Sequence, residues 1–477
     1  MTRNLARLAE ETYERRGDYD ALSFEGRWHS SGELFARGAR LDLGVKPGDR
    51  VVVMMENSPD VGAVYHAVAR AGAVVTPVIY LASVEELRRI LLDSQPSLVI
   101  ASALVRDTVE AAADGVRVVL DLAELASPDP LPIVTRDDGD LAALVYTGGT
   151  TGRSKGVMLT HANLWEAGRH GHDAGHVEGI DRSLSCLPLS HSYGLLVLNV
   201  ALHHPGRPQS VLMSWFDAES WLALAQEHRS QIAPVVPSML YMLLREPLEE
   251  YDLAELRYVA SGAAPLAPEA IAEFTRRVPS VEIREGYGLT ETSALVSTNR
   301  PGRIRYGSVG EPVPETEIRI AEGEICVRSD LVMKGYWNAP ELTAETIRDG
   351  WLYTGDMGRL DDEGYLTILD RKKDLIIRGG FNVFPRDVEE ALVEHPAVAT
   401  ACVVGRTDDV HGEEVVAFVT LRDDATEDDL VAFGKDRLGG YKYPREIHVV
   451  ETLPLTPVGK VDRKALRELL IQEETTR

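Results

Sequence analysis

Short apolar runs separated by helix-compatible stretches recur along this chain, and that alternation limits its possible architecture more than any other feature. Arg50-Val-Val-Val-Met-Met55 suits a buried strand. Asn57-Ser58-Pro59 then supplies a helix start, because proline is tolerated in a first turn, and Gly72 follows the helical stretch. Residues 73–78 form the next apolar run. Ser83-Val-Glu-Glu86 has the form of a capping box, opening a helix that stops before Pro96, and residues 98–101 are again strand-like. The pattern returns at 141–146, 183–187, 232–236, 256–260 and 281–284, interleaved with helical patterns at 220–228 and 268–277. Such alternation implies an α/β fold of mainly parallel sheets with helices on their faces.

The texture changes near residue 370. The charged stretch Asp370-Arg-Lys-Lys-Asp374 precedes a region of less regular order. Pro385 is placed to start a helix, 397–404 and 415–421 read as adjacent strands, and Asp462 is placed to cap a final helix. The expected division is a large N-terminal domain over 1–369 and a small α+β domain over 370–477.

Composition narrows the function. Among 477 residues, 50 Lys and Arg face 75 Asp and Glu, a formal charge of −25. Such a surface repels nucleic acid, which binds basic surfaces that neutralise phosphate. A polyanionic ligand must therefore meet locally arranged main-chain donors and a few placed cations. Cys186, Cys326 and Cys402 form no CxxC pair, so neither a zinc ribbon nor a disulfide framework is expected. No apolar segment approaches a membrane span, and a reducing cytoplasm is the expected location.

The most informative segment is Leu144-Val-Tyr-Thr-Gly-Gly-Thr-Thr-Gly-Arg-Ser-Lys-Gly156. An apolar strand runs into glycines, threonine hydroxyls and a lysine. Glycines let main chain approach phosphate oxygens, while hydroxyls and amides donate hydrogen bonds to them. It is not a Walker loop, because Ser154 rather than glycine precedes Lys155.

This segment resembles the phosphate-binding loop of the class I adenylate-forming superfamily, in its acyl- and aryl-CoA synthetase branch. Gly149 stands where that family often has serine, and Ser154 where it often has proline. The resemblance continues in order through the chain, and it implies the following roles. Thr147, Gly148, Gly149, Thr150, Thr151, Gly152 and Lys155 would hold ATP phosphates. Tyr258-Val-Ala-Ser-Gly-Ala-Ala-Pro265 would line the adenine pocket through Gly262, Ala263 and Ala264. In Glu285-Gly-Tyr-Gly-Leu-Thr-Glu291, Glu285 and Gly286 border the nucleotide and Tyr287 lies against adenine. Thr290 there meets the α-phosphate and Glu291 helps hold Mg²⁺. Asp356, closing Trp351-Leu-Tyr-Thr-Gly-Asp356, would accept both ribose hydroxyls, and Arg371 would add a ribose contact.

Lys373 matches the hinge about which the small domain turns. Lys460, in Pro454-Leu-Thr-Pro-Val-Gly-Lys460, matches the lysine that neutralises charge where carboxylate and α-phosphate meet. Domain rotation would then bring Arg378-Gly379-Gly380 to the thiol of coenzyme A. Leu187-Pro-Leu-Ser-His-Ser-Tyr-Gly194 resembles the border of the acyl pocket. His191 would orient the acid, and Tyr193, Val197, Val236 and Gly262 would line its wall. Amino-acid-activating relatives usually carry an aspartate in that segment; none stands here, which favours a non-amino acid.

The implied activity is ATP-dependent formation of an acyl-adenylate with release of pyrophosphate, followed by transfer to CoA. The catalytic set is Lys460, Thr290, Glu291 and His191. A carrier-protein pantetheine or an amine is the alternative acceptor, and an inactive nucleotide-binding regulator is a different class. Aliphatic and aromatic acids stay equally open, as does the oligomeric state.

Overall fold

A computed structural model describes residues 3–147, 155–408, 410–438, 440–456 and 461–476. The chain forms two compact units, one of Met1–Ile318 with Val327–Leu352, the other of Arg319–Cys326 with Tyr353–Arg477.

The first unit is built on two sheets. One runs in the order Gly335–Tyr336, Lys155–Thr160, Leu141–Thr147, Val74–Val78, Arg50–Met54, Leu98–Ala101 and Arg117–Val119. Its central strands are parallel. Its edge is antiparallel: Leu141–Thr147 pairs with Lys155–Thr160, which also pairs with Gly335–Tyr336. Alternate side chains of a strand point to opposite faces. Val51 and Val53 therefore join a core with Val64, Ala67 and Leu164, while Val52 and Met54 join another with Leu87, Ile90 and Leu91. Helices cover both faces, which explains an uninterrupted apolar run where a half-exposed strand would alternate. The helices start as their sequences require: Pro59 occupies the first turn of Pro59–Arg70, and Ser83 and Glu86 close a reciprocal capping box on Val84–Ser94.

The second sheet has nine strands, ordered Glu311–Pro312, Ser297–Thr298, Glu282–Tyr287, Tyr258–Ser261, Ile232–Val235, Arg182–Ser185, Gln209–Leu212, Asp20–Phe24 and Arg27–Ser30. Its centre is parallel and both edges are antiparallel. Trp221, Leu222 and Phe274, from helices Ala218–Glu227 and Pro268–Arg277, are wholly buried in the core beside Val259 and Ile283.

In the second unit, Trp351–Leu360 and Leu366–Arg371 pair antiparallel. A further sheet pairs Val398–Asp408 with Gly412–Leu421, which also meets Glu446–Val449 in parallel. Val415, Ala417 and Val419 pack with Val388, Leu392 and Leu430, whereas Val416 and Phe418 pack with Leu466 and Leu470. Both faces are again covered. Pro385 opens helix Pro385–Val393, and the Asp462 carboxylate accepts from Lys464 and Ala465 N–H at the head of Arg463–Thr476. Among the described residues, no helix is long and apolar enough to cross a membrane.

Candidate active site

Strand pairing defines the base of the glycine-threonine segment. Thr147 and Lys155 are direct partners at the end of the antiparallel pair. Gly148, Gly149, Thr150, Thr151 and Gly152 lie outside the described residues, as does Lys460. Lys155 is thus the first residue of a strand, and its Nζ sits 5.3 Å from the centre of the Tyr336 ring.

Tyr336 in turn donates its hydroxyl to Glu291 Oε1 at 2.9 Å. Burial, reinforced by that carboxylate, pushes the Tyr336 hydroxyl well above its ordinary value, so it stays a donor. The Glu291 carbonyl accepts from Met333 N–H at 2.9 Å. Among the described residues no Lys, Arg or His pairs with the Glu291 carboxylate. A fixed carboxylate without a protein cation is the donor that Mg²⁺ uses beside substrate phosphates, so Glu291 fits this ion.

One residue earlier, the Thr290 hydroxyl donates to Ser192 Oγ at 3.2 Å. Ser192 opens helix Ser192–His203, and His191 caps it: His191 Nδ1 accepts from Tyr193 N–H at 3.2 Å. The Tyr193 hydroxyl donates to the Ala260 carbonyl at 2.9 Å, at the end of strand Tyr258–Ser261. A side chain at Gly262 would stand 3.4 Å from the Tyr193 ring and 3.6 Å from the Gly286 carbonyl. Gly262 N–H reaches the Val235 carbonyl at 3.4 Å, which puts Val236 next to it. Val197 lies one turn beyond Tyr193 on the same helix face. Ala263 has a φ of +71°, a left-handed conformation that turns the chain sharply after the strand. Glu285 is buried, and Gly286 and Tyr287 pair with Thr298 and Ser297.

The structure therefore links Lys155, opposite the carboxyl-terminal Thr147 of its partner strand, with Glu291, Thr290, His191, Tyr193 and Gly262, which follow the carboxyl ends of strands in the second sheet, a usual place for ligands in open α/β sheets. Tyr336 and Ser192 join them, although neither was singled out in the sequence. Tyr336 follows glycine in an irregular stretch without periodicity, and only its pairing with Val157 reveals its place.

Within the second unit, Asp356 and Arg371 are partners across the Trp351–Leu360/Leu366–Arg371 pair, with Nε 2.7 Å from Oδ1. Asp356 is 2% exposed. Lys373 is exposed, two residues beyond Arg371. Arg378 grips both carboxylate oxygens of Glu414, at 2.6 and 2.9 Å. Gly379 and Gly380 follow with φ of +57° and +82°, a conformation that favours glycine, and Gly379 N–H donates to the His411 carbonyl.

Among the described residues, two clusters of metal-ligating types stand elsewhere, Glu166–His170–Glu315 and Asp408–His411–Glu414. Each already holds a guanidinium: Arg169 Nη2 is 2.7 Å from His170 Nε2 and 3.0 Å from Glu315, and Arg378 occupies Glu414. They are ion-pair networks. The three cysteines are buried, and burial pushes the Cys186 and Cys402 thiols up to about 12, which removes them as nucleophiles.

Residues 9–337 match the model of the AMP-binding enzyme family, and residues 387–460 match that of the AMP-binding enzyme C-terminal domain. A long-chain-fatty-acid–CoA ligase of Bacillus subtilis (strain 168) is 34% identical, covering 99% of this chain and 95% of the relative. The 4-coumarate–CoA ligase-like 9 of Oryza sativa subsp. japonica is 35% identical, covering 94% of this chain and 88% of the relative. Among solved structures, ATP-bound MatB from Rhodopseudomonas palustris superposes with a TM-score of 0.91 at 31% identity, covering 98% and 99% of the two chains. The chain belongs to the AMP-binding enzyme family, in its acyl- and aryl-CoA synthetase branch.

Proposed function

We propose that this protein activates a non-amino-acid carboxylic acid with ATP and transfers the acyl group to coenzyme A. A carboxylate oxygen attacks the α-phosphorus, and the bond to pyrophosphate breaks. The CoA sulfur then attacks the acyl carbon, the bond to AMP breaks, and the thioester leaves. The problem for the protein is to bring two anions together, so positioning and charge neutralisation supply most of the rate.

The residues divide that task. Thr147, Lys155 and the intervening glycine-threonine segment hold the β- and γ-phosphates. Mg²⁺, when bound, offsets phosphate charge, and Glu291 is the residue that would hold it. Thr290 meets the α-phosphate, and Lys460 offsets charge where the acid approaches it. Gly262, Ala263, Ala264, Glu285, Gly286 and Tyr287 form the adenine side, and Asp356 with Arg371 the ribose side. His191 orients the acid, whose tail meets Tyr193, Val197, Val236 and Gly262, a set without a carboxylate to pair an α-amino group. Arg378, Gly379 and Gly380 serve the CoA arm, the domain boundary lies near residue 370, and Lys373 is the hinge.

The observation that carries this reading is the unbroken run of contacts from Lys155 through Tyr336 to Glu291, and from Thr290 through Ser192 to the helix that bears His191 and Tyr193. On this reading it links the residues assigned to the phosphates with those assigned to the acid. Its test is a carboxylic-acid panel scored for AMP release with and without CoA. Acid-dependent release that CoA stimulates supports the reading. Release indifferent to CoA transfers the acceptor role to a carrier-protein pantetheine or an amine. Absence of acid-dependent pyrophosphate exchange removes the adenylation itself.

A further inference from the structure

Lys155 and Glu291 come from segments far apart in sequence, yet both converge on one tyrosine. Tyr336 lies on the two-residue strand Gly335–Tyr336, held by pairing of Gly335 with Met158 and of Tyr336 with Val157. Its main-chain N–H donates to Thr343 Oγ1 at 2.9 Å. Two residues before this strand begins, Met333 N–H holds the carbonyl of Glu291. One short segment thus fixes the main chain beside Glu291, the Glu291 carboxylate and the surroundings of the Lys155 ammonium.

We propose that Tyr336 is a positioning residue for the metal–nucleotide complex, its hydroxyl orienting the Glu291 carboxylate toward Mg²⁺ and its ring face holding the Lys155 ammonium beside the phosphates. The proposal rests on the adenylation reading above. A carboxylate that accepts a hydrogen bond on one oxygen has its plane set, and its second oxygen is left to meet a cation. Outer partners of this kind tune metal affinity strongly without touching the metal. The aromatic face attracts an ammonium at 5.3 Å without consuming its three N–H donors, so Lys155 keeps them for phosphate oxygens. An Asp or Glu in place of the ring would instead have paired with Lys155 and competed with the nucleotide.

The test measures binding rather than turnover. ATP affinity is determined by calorimetry on the full chain in Mg²⁺ and in EDTA, and the ratio of the two dissociation constants reports the metal linkage. Tyr336→Phe keeps the ring and deletes the donor. Its ratio of the dissociation constant in EDTA to that in Mg²⁺ should fall about 10-fold or more, while metal-free ATP affinity stays near wild type. In a Glu291→Gln background the same substitution should produce no further fall, because the two groups act as one unit. Tyr336→Leu should weaken metal-free ATP binding as well, through Lys155. A wild-type ratio in Tyr336→Phe overturns the proposal, and so does an equal fall in both backgrounds, which marks a structural effect. Thermal midpoints of each variant verify folding. If the wild-type protein itself binds ATP without metal linkage and shows no acid-dependent pyrophosphate exchange, the adenylation reading and this proposal fall together. Exchange by wild type with an unmoved Tyr336→Phe ratio sinks this proposal alone.

Discussion

Asp356→Asn separates nucleotide recognition from folding. The carboxylate is 2% exposed and faces Arg371 across paired strands. Asparagine keeps the volume and one carbonyl acceptor but removes the charge. A hydrogen bond to a charged acceptor contributes about 1.5–3 kcal/mol and one to a neutral acceptor about 0.5–1.5 kcal/mol. Over two ribose hydroxyls the loss sums to about 2–3 kcal/mol, roughly 30- to 150-fold in ATP affinity. The folding cost is smaller, because the Arg371 side chain is 46% exposed and solvent receives its freed guanidinium. Calorimetry with ATP, 2′-deoxy-ATP and 3′-deoxy-ATP measures the effect. Wild type should discriminate against both deoxy nucleotides, and Asp356→Asn should bind all three with similar, weak affinity. A variant that kept full discrimination while losing thermal stability would refute the ribose assignment and leave Asp356 a structural partner of Arg371.

Other substitutions probe different parts of the account. Gly288→Ala places a Cβ 2.2 Å from the Ala294 carbonyl oxygen and 2.5 Å from Leu295 N, both main chain. Strain of about 1–3 kcal/mol should lower the melting temperature, and displacement of Thr290 and Glu291 should cut pyrophosphate exchange about 100-fold; normal exchange would show that this turn does not place the pair. His191→Ala removes a helix cap, costing about 1 kcal/mol, and should also raise KM for the acid. His191→Asn should recover the melting temperature but not KM; recovery of both would make His191 a cap alone.

Asp370 sets a pH dependence. Burial pushes its carboxyl up to about 6, although the N–H groups of Arg386 and Arg371 donate to it. The folded state then holds a proton that the unfolded state releases near its ordinary value of 3.8. The stabilising contribution is full below that value and is lost as pH rises through about 6. Asp370→Asn should therefore gain stability relative to wild type between these limits, on the order of 2–3 kcal/mol, with a constant difference above them. Melting temperatures of both proteins across this range check it, and parallel curves contradict it.

How far the fold shows in the sequence depends on whether an element's signal is local. Residues 98–101 and 268–277 stand in the structure as the strand and helix that apolar runs and Pro268 indicate. Residues 415–421 are legible as a strand because both faces are covered, so every position from Val415 to Val419 is apolar. The antiparallel edge of the first sheet is not legible. Lys155 reads as part of a loop, since its place at a strand start is set by pairing with Thr147 and not by local pattern. Gly335–Tyr336 has only two residues, too few for period-two alternation, and its partner strand is far away in sequence. The motif positions of Thr290, Glu291 and His191 are visible in the sequence. The contacts that tie them together, through Ser192 and Tyr336, arise only from packing.

Oxygen transfer tests the central chemistry most directly. The preferred acid, labelled with ¹⁸O in both carboxylate oxygens, is turned over with ATP and CoA, and the products are weighed by mass spectrometry. Attack of the carboxylate on the α-phosphorus requires that AMP carry one ¹⁸O per turnover and that pyrophosphate carry none. Label in pyrophosphate or inorganic phosphate, or unlabelled AMP with thioester formed, would contradict activation through an acyl-adenylate.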